Sequence, residues 1–487
     1  MRTALLACVL LVPAAHAQNI AQLWNANCAA CHGAKATGAE PGAPAHATSR
    51  SMLDPALRNA DDRDLYDSVA GGKSHAALEG YPKLPNPQAW ALVVHLRELQ
   101  ARDARKREPG PRPVDGVYAS RLHRYTLETV VGSGLEVPWA IEFLPDGALL
   151  ITERPGRLRI FQDGKLSEPV AGVPGVRNRG QGGLMDVTLH PRFNENAWVY
   201  LAYSDKLGAD DAPPGMTKVV RGRITKGAGG TPAWTDQLTI FEARHEHYVK
   251  TDHHFGSRVV FDPKDPSTLF FCIGDRGHGP HAQDVTRPNG KVHRVKDDGS
   301  IPADNPFASQ NEKNYASIWS TGHRNPQGLA FDEAGNLWET EHAPRGGDEL
   351  NLIERGKNYG WPVVSFGINY SGEALSVPWS ELLPAPGKGE SRPDFAMPRD
   401  RWLPSIAACG LACVRGGAFP NWKGDLLAGG LAGATLQRVH VEGGRVVERE
   451  ELLFGLGRVR DVAVAPDGSV YLAINGPDRI VRLYPSR

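Results

Sequence analysis

Cysteine is scarce in this chain, with six in 487 residues. A disulfide-stapled scaffold is thereby excluded, because such frameworks need a dense set of cysteines. Charge imbalance is absent as well: 55 Lys and Arg stand against 55 Asp and Glu. That balance supplies neither a basic field for nucleic acid nor a polybasic tail for a membrane surface. Beyond the first residues there is no apolar run long enough to span a bilayer. What is plentiful is glycine (54) and proline (38), at a hydrophobic content of 41%. This composition fits a turn-rich β protein with a real core, and the length predicts two or three domains.

Residues 1–17 read as a secretory signal, with Arg2 as the charged start, Ala4 to Val12 apolar, and Ala15-His16-Ala17 as a cleavage site. Leu5-Leu6-Ala7-Cys8 loosely resembles a lipoprotein box but lies inside the apolar stretch. The expectation is an exported, periplasmic protein carrying Cys28, Cys31, Cys272, Cys409 and Cys413. Cys272 reads as core, and Cys409 and Cys413 are candidates for a disulfide.

Residues 18–104 form a small all-α unit. Cys28-Ala29-Ala30-Cys31-His32 has the C-x-x-C-H spacing of covalent c-type haem attachment, two thiols for the vinyl groups and an imidazole for the iron. A redox or metal-binding CxxC is the alternative, but no second cysteine pair follows. Ile20–Ala26, Asp61–Val69 and Trp90–Leu99 read as helices. The unit resembles a class I cytochrome c. Such domains usually supply a sixth iron ligand after a glycine-rich turn. Here that turn is Ala70-Gly71-Gly72-Lys73-Ser74, and His75 follows it. The expectation is His32/His75 ligation, with Met52 and His46 as alternatives. Residues 105–116 are charged and proline-rich and read as a semi-rigid linker.

From Val117 onward one pattern recurs six times: a short apolar strand, a Pro/Asp/Gly turn and a second strand. The pairs begin at Ile141, Val187, Val259, Leu329, Ala418 and Val462. Hairpins at irregular spacing around a constant core predict an all-β, six-bladed β-propeller over residues 117–487, in preference to a pair of β-sandwiches. A ring must be locked, so residues 125–131 are expected to pair with the last strand near Arg479–Leu483.

The chemistry-bearing residues lie outside the hairpins. Gln181, His253-His254, Asp275, Arg324-Asn325 and Arg458–Asp461 mostly precede a blade's first strand and should converge at one end of the ring. The segment Gly322–Pro362 is densest in Gly, Pro, Arg, His and carboxylates, as binding loops on a rigid scaffold are. Convergent Arg, Gln, Asn and His suit a polyanionic, hydrogen-bonding ligand. His245-Glu246-His247 with His253 could hold zinc, although no further ligand stands at metal spacing.

Residues 125–487 resemble the PQQ-dependent soluble aldose sugar dehydrogenases of the glucose/sorbosone dehydrogenase group. The segments that carry the likeness are Pro138-Trp139, Thr152–Leu158, Gly180–Asp186, His254–Arg258, Gly322–Pro362 and Arg458–Val462. The resemblance implies roles. His254 would be the general base on the anomeric hydroxyl, an imidazole with a pKa near neutrality. Asp275 would lie beside the substrate. Gln181, Arg324, Asn325, Arg458 and Arg460 would hold the quinone cofactor, with Arg324 also stabilising charge on it. Carbonyls of Ala343 and Pro344 would hold a calcium ion against the cofactor, and Glu349 with the Tyr359 carbonyl a second, structural calcium. Two positions depart from the family: Ala432 stands where the soluble glucose dehydrogenases have a lysine, and Ala343 where glycine is usual.

The implied protein is a quinohaemoprotein. It would oxidise an aldose to its lactone at PQQ and pass electrons to the fused haem c. An external acceptor, a soluble cytochrome or the quinone pool, would follow. A calcium-dependent propeller hydrolase and a non-catalytic sugar-binding propeller are the rival readings.

Overall fold

The computed structural model describes residues 19–44, 51–70, 75, 84–308, 311–371 and 395–486. The expected leader, His46 and residues 71–74 of the glycine-rich turn lie outside them.

The N-terminal unit is helical: α1 (Ile20–Asn27), α2 (Ala29–His32), α3 (Pro55–Arg58), α4 (Asp62–Val69) and α5 (Asn86–Arg107). Local chemistry sets the ends. Asn19 and Gln22 form a reciprocal capping box on α1, and Asp61 caps α4. Arg105, Lys106 and Arg107 occupy the last turn of α5, where cations suit the helix dipole. That last turn overruns the start of the expected linker by three residues, Arg105–Arg107. Trp90, Leu92, Val93 and Val94 of α5 are fully buried with Leu23, Trp24, Leu65 and Tyr66.

The rest of the described chain forms six antiparallel sheets, five of four strands and one of five. They are the blades of a six-bladed propeller. Their innermost strands are Pro138–Phe143, Leu184–Leu189, Val259–Asp262, Pro326–Phe331, Ala408–Cys413 and Arg458–Val464. Blade six is closed by the early strand Arg124–Val131, whose Leu127 pairs with Leu483 and Val131 with Ile480. This is the expected lock, joining chain start to chain end.

Blade five corrects the sequence reading. Its first strand is Ala408–Cys413, whereas Ala418–Pro420 lies in a loop that ends in a short 3-10 turn at Pro420–Trp422. The proline-containing segment mimics a strand because Phe419 is buried, but it packs as a stacked pair with Trp422 instead. The disulfide left open between Cys409 and Cys413 does not form, and both thiols are free. Four residues along one strand separate the Cα atoms by roughly 13 Å, against a bridging limit of about 7 Å. Cys272 is buried in the core, as expected.

Arg258 ties the ring together at its centre. Its guanidinium lies 2.8 Å from Asp186 of blade two and 2.8 Å from Asp461 of blade six. It also donates to the Gln327 carbonyl of blade four (2.9 Å), and Asp461 accepts from the Ile141 amide of blade one (2.9 Å). The sequence neighbours Arg460 and Asp461 serve different partners: Asp461 pairs with Arg258, and Arg460 donates to Gln327 Oε1 (3.1 Å).

The helical unit docks on blades four and five. Trp90 Nε1 donates to the Phe366 carbonyl (3.0 Å). Glu98 grips Arg345 at 2.7 and 2.6 Å, Asp62 meets Arg401 at 2.9 Å, and Arg105 meets Glu451 at 2.8 and 3.1 Å. Among the described residues no helix is long and apolar enough to cross a membrane.

Candidate active site

Blade three is entered through a contorted segment in which His254 (φ 58°), Gly256 (φ 66°) and Ser257 (φ 94°) all take positive φ. Such a backbone is uncommon for a non-glycine residue and persists where surroundings hold it. Here the His254 amide donates to Gln181 Oε1 (2.8 Å), and Nδ1 lies 2.6 Å from Asp275 Oδ1. Asp275 is itself fixed: it accepts from the Gly277 amide (2.7 Å) and from Trp361 Nε1 (2.7 Å), while its own amide donates to the Arg324 carbonyl. Four loops of three blades thus converge on one imidazole.

Burial first, and the Arg324 charge second, push the His254 imidazole down to about 4, against the pull of Asp275. The sequence-based value near neutrality is therefore too high, because it ignores the burial. Burial alone would raise the Asp275 carboxyl, but its hydrogen bond to His254 and the charges of His254 and Arg324 outweigh it and leave it below the ordinary value. At neutral pH the pair is a neutral imidazole giving Nδ1–H to a carboxylate, which leaves Nε2 as a base. Asp275, expected beside the substrate, acts on the imidazole.

A cavity of about 440 Å³ lies alongside, lined among others by Gln181, His342, Ala343, Pro344, Arg458 and Arg460. Arg154 and Ala432 also line it. Among the described residues none of Arg154, Arg324, Arg458 and Arg460 forms an ion pair with a carboxylate. The Nε atoms of Arg154, Arg324 and Arg460 and Nε2 of His342 are buried without a hydrogen-bond partner. Burial, and then the charge of Arg460, lowers the pKa of the Arg458 guanidinium. Arg154, Arg458 and Arg460 line this one cavity, and the unmet Nε donors of Arg154 and Arg460 suit a receptor for a polyanion. At Ala432 the lining of the cavity carries a methyl group in place of a cation.

Arg324 and Asn325 stand slightly apart from the other expected cofactor ligands. Arg324 donates to the His342 carbonyl (2.8 Å) and borders a smaller neighbouring cavity, and Asn325 Oδ1 accepts from Gln327 (3.1 Å). His342 and Arg154 were not singled out from the sequence. His342 is half-buried between Arg324 and Arg460; its desolvation first, then the charges of Arg460 and Arg324, hold its pKa well below the usual value. Only its position next to the Ala343-Pro344 pair could have pointed to it.

The Ala343–Gly347 loop is tightly specified. Ala343 keeps φ outside the left-handed region, so its methyl costs the backbone nothing. At Gly347 (φ 72°) a Cβ would sit 2.5 Å from the Phe366 backbone, so only glycine fits. The smaller cavity is lined by Glu341, Glu349 and Tyr359 among others. Asn351 Nδ2 lies 3.0 Å from Glu339, 3.1 Å from Glu341 and 3.1 Å from Glu349. Among the described residues none of these three carboxylates forms an ion pair with Arg or Lys, and Glu341 has only the His323 ring as an ion-pair partner (3.4 Å). Burial, with Glu341 adding to it, pushes the Glu339 and Glu349 carboxyls well up. His323, Glu339 and Glu341 also stand within 4.8 Å of one another. This donor set fits a hard cation. The zinc alternative does not assemble: His245 is exposed beside Glu242, and His247 bonds Tyr315.

In the helical unit Cys28 precedes α2 and His32 ends it. Burial, then the nearby Cys31, pushes the Cys28 thiol up to about 12. The His32 and His75 rings lie with centroids 6.1 Å apart, their planes nearly perpendicular at 85°. An ion held by one nitrogen of each ring, at the usual metal–imidazole length of about 2.0–2.1 Å, places centroids roughly 6 Å apart. His75 Nδ1 meets the Ser68 carbonyl at 2.8 Å. Met52 instead packs on the core of the unit.

Comparison with known proteins agrees with this geometry. The glucose/sorbosone dehydrogenase family model matches residues 135–482, and the cytochrome c model residues 17–100. The Synechocystis protein slr1608 is 39% identical over 416 residues, 80% of this chain and 95% of that one. The aldose sugar dehydrogenase YliI of Escherichia coli is 42% identical over 347 residues, 70% of this chain and 88% of its own. The PQQ-bound aldose sugar dehydrogenase of Streptomyces coelicolor superposes with a TM-score of 0.58 at 27% identity, covering 74% of this chain and 98% of that one. The chain belongs to the glucose/sorbosone dehydrogenase family, as an aldose sugar dehydrogenase propeller joined to an N-terminal cytochrome c domain.

Proposed function

We propose that the protein is a periplasmic, PQQ-dependent aldose dehydrogenase that yields lactones and delivers electrons to its own haem c. The observation that carries this reading is the His254–Asp275 pair beside a cavity of unpaired guanidiniums. PQQ, a planar quinone with three carboxylates, would be held by Arg458, Arg460, Gln181 and the orphaned nitrogens of Arg154 and His342. Ala343 and Pro344 carbonyls would hold its calcium, and Glu349 with the Tyr359 carbonyl a second calcium, to which Glu341 and Glu339 add charge. When bound, PQQ supplies the two-electron acceptor for the hydride leaving the anomeric carbon.

The chain's own part is acid–base and electrostatic. His254 Nε2 takes the proton of the anomeric hydroxyl, and Asp275 fixes the ring and stabilises the imidazolium that forms. Arg324 offers positive charge without a competing carboxylate. Trp361 Nε1 donates to Asp275, which is itself buried, and so helps to hold the carboxylate in place. Cys28 and Cys31 would tether the haem, with His32 and His75 on the iron. The haem would supply the one-electron relay to an external acceptor.

The test is direct. Haem-loaded protein receives PQQ and calcium, and an aldose is added anaerobically. Reduction of the haem α-band that requires all three supports the reading. Sugar turnover without PQQ, or no haem reduction with it, refutes it.

A further inference from the structure

The cytochrome domain touches the propeller at the loop that borders the cofactor cavity. Arg345 belongs to the Ala343–Gly347 loop, and its guanidinium Nε and Nη2 are taken by the two carboxylate oxygens of Glu98 of α5, at 2.7 and 2.6 Å. Glu98 itself lines the cavity with Arg345. The Glu98 side chain is 12% exposed and that of Arg345 25%, so the pair is partly buried. The next residue, Gly346, abuts α5 so closely that a Cβ there would sit 3.1 Å from Val94. Ile368 donates its amide to the Arg345 carbonyl (2.9 Å), and Phe366 and Ile368 are buried in the same apolar cluster as Trp90 and Leu92.

We infer that the haem domain is a structural part of the quinone site, with Glu98 a positioning residue that holds the Ala343–Gly347 loop through Arg345. The inference rests on the PQQ reading above. A bidentate, partly buried carboxylate–guanidinium pair fixes both distance and plane, which a single surface contact does not. Ala343 and Pro344 would offer carbonyls, which can ligate only where the backbone puts them. Outer partners that orient ligating groups typically carry 10- to 100-fold in affinity. Cofactor binding and domain docking are therefore coupled: loosening one loosens the other.

The experiment uses the full, haem-loaded chain. PQQ is titrated in excess calcium, followed by its absorbance, in the wild type, Glu98→Gln, Glu98→Ala and the exchanged pair Glu98→Arg with Arg345→Glu. Amide hydrogen exchange across residues 343–347 is measured on the same proteins without PQQ. The expected result is a roughly 10-fold or greater rise in Kd for both single variants, faster loop exchange, an unchanged haem spectrum, and recovery in the exchanged pair. A wild type that binds PQQ with variants of equal Kd and equal exchange overturns the inference and leaves the function standing. A wild type that fails to bind PQQ in calcium overturns both.

Discussion

The pH profile of His254 is a severe test of its role as base. Burial and the Arg324 charge hold the imidazole near 4 instead of 6.5. The neutral ring is the active form, so activity is present above that value and lost as pH falls through it. In the PQQ-loaded protein kcat/KM should be level across neutrality and fall about tenfold per pH unit below about 4. The same shift acts on the fold. The unfolded chain binds the proton more readily, so stability is full above 6.5 and declines as pH falls from 6.5 towards about 4. At about 1.4 kcal/mol per unit this amounts to on the order of 3 kcal/mol. Arg324→Gln removes a repelling cation and should move the acid limb upward. His254→Ala should lower turnover by about two to four orders of magnitude while PQQ still binds. Initial rates with an artificial acceptor, with circular dichroism to follow the fold, measure all of this. A wild-type limb near 6.5, or His254→Ala with near-normal turnover, refutes the reasoning.

Arg258→Met leaves Asp186 and Asp461 buried without their cation, and should cost about 3–5 kcal/mol in a denaturant melt. Arg460→Ala should weaken PQQ binding by about 2–5 kcal/mol in an equilibrium titration, because a cofactor carboxylate loses its guanidinium. Chelation of calcium should lower the melting temperature even without PQQ, and Glu349→Gln should abolish that sensitivity; a calorimetric scan with and without chelator decides it. Oxidised haem should lack the near-infrared band of sulfur ligation and be unchanged by Met52→Ala, while His75→Ala should alter the Soret spectrum.

The propeller was legible because its evidence is local. Each hairpin carries its own apolar alternation and Pro/Asp/Gly turn, so six repeats could be read without knowing how they meet. Blade five failed for a matching reason: Ala418-Phe419-Pro420 has strand composition, yet Phe419 is buried by stacking on Trp422, a contact no periodicity reports. The candidate site was legible in part because its residues share a phase relative to the strands, although Gln181 and Arg460 are far apart in sequence. Gln181, Arg458 and Arg460 line one cavity as that phase implied.

Enclosure and docking left no such trace. The His254 imidazole is low because of what surrounds it, and sequence supplies the ring but not its burial. His342 matters by being shut between two guanidiniums, which no spacing rule marks. The haem domain's grip on Arg345 joins residues 247 apart. Its partner Glu98 looks like an ordinary solvated charge on an amphipathic helix, and a proline-rich connector suggests a tethered, independent domain. The structure instead places that charge at the wall of the cavity. A long-range ion pair of this kind couples the two domains energetically as well as by the chain, so the connector sets reach while Glu98 and Arg345 set position.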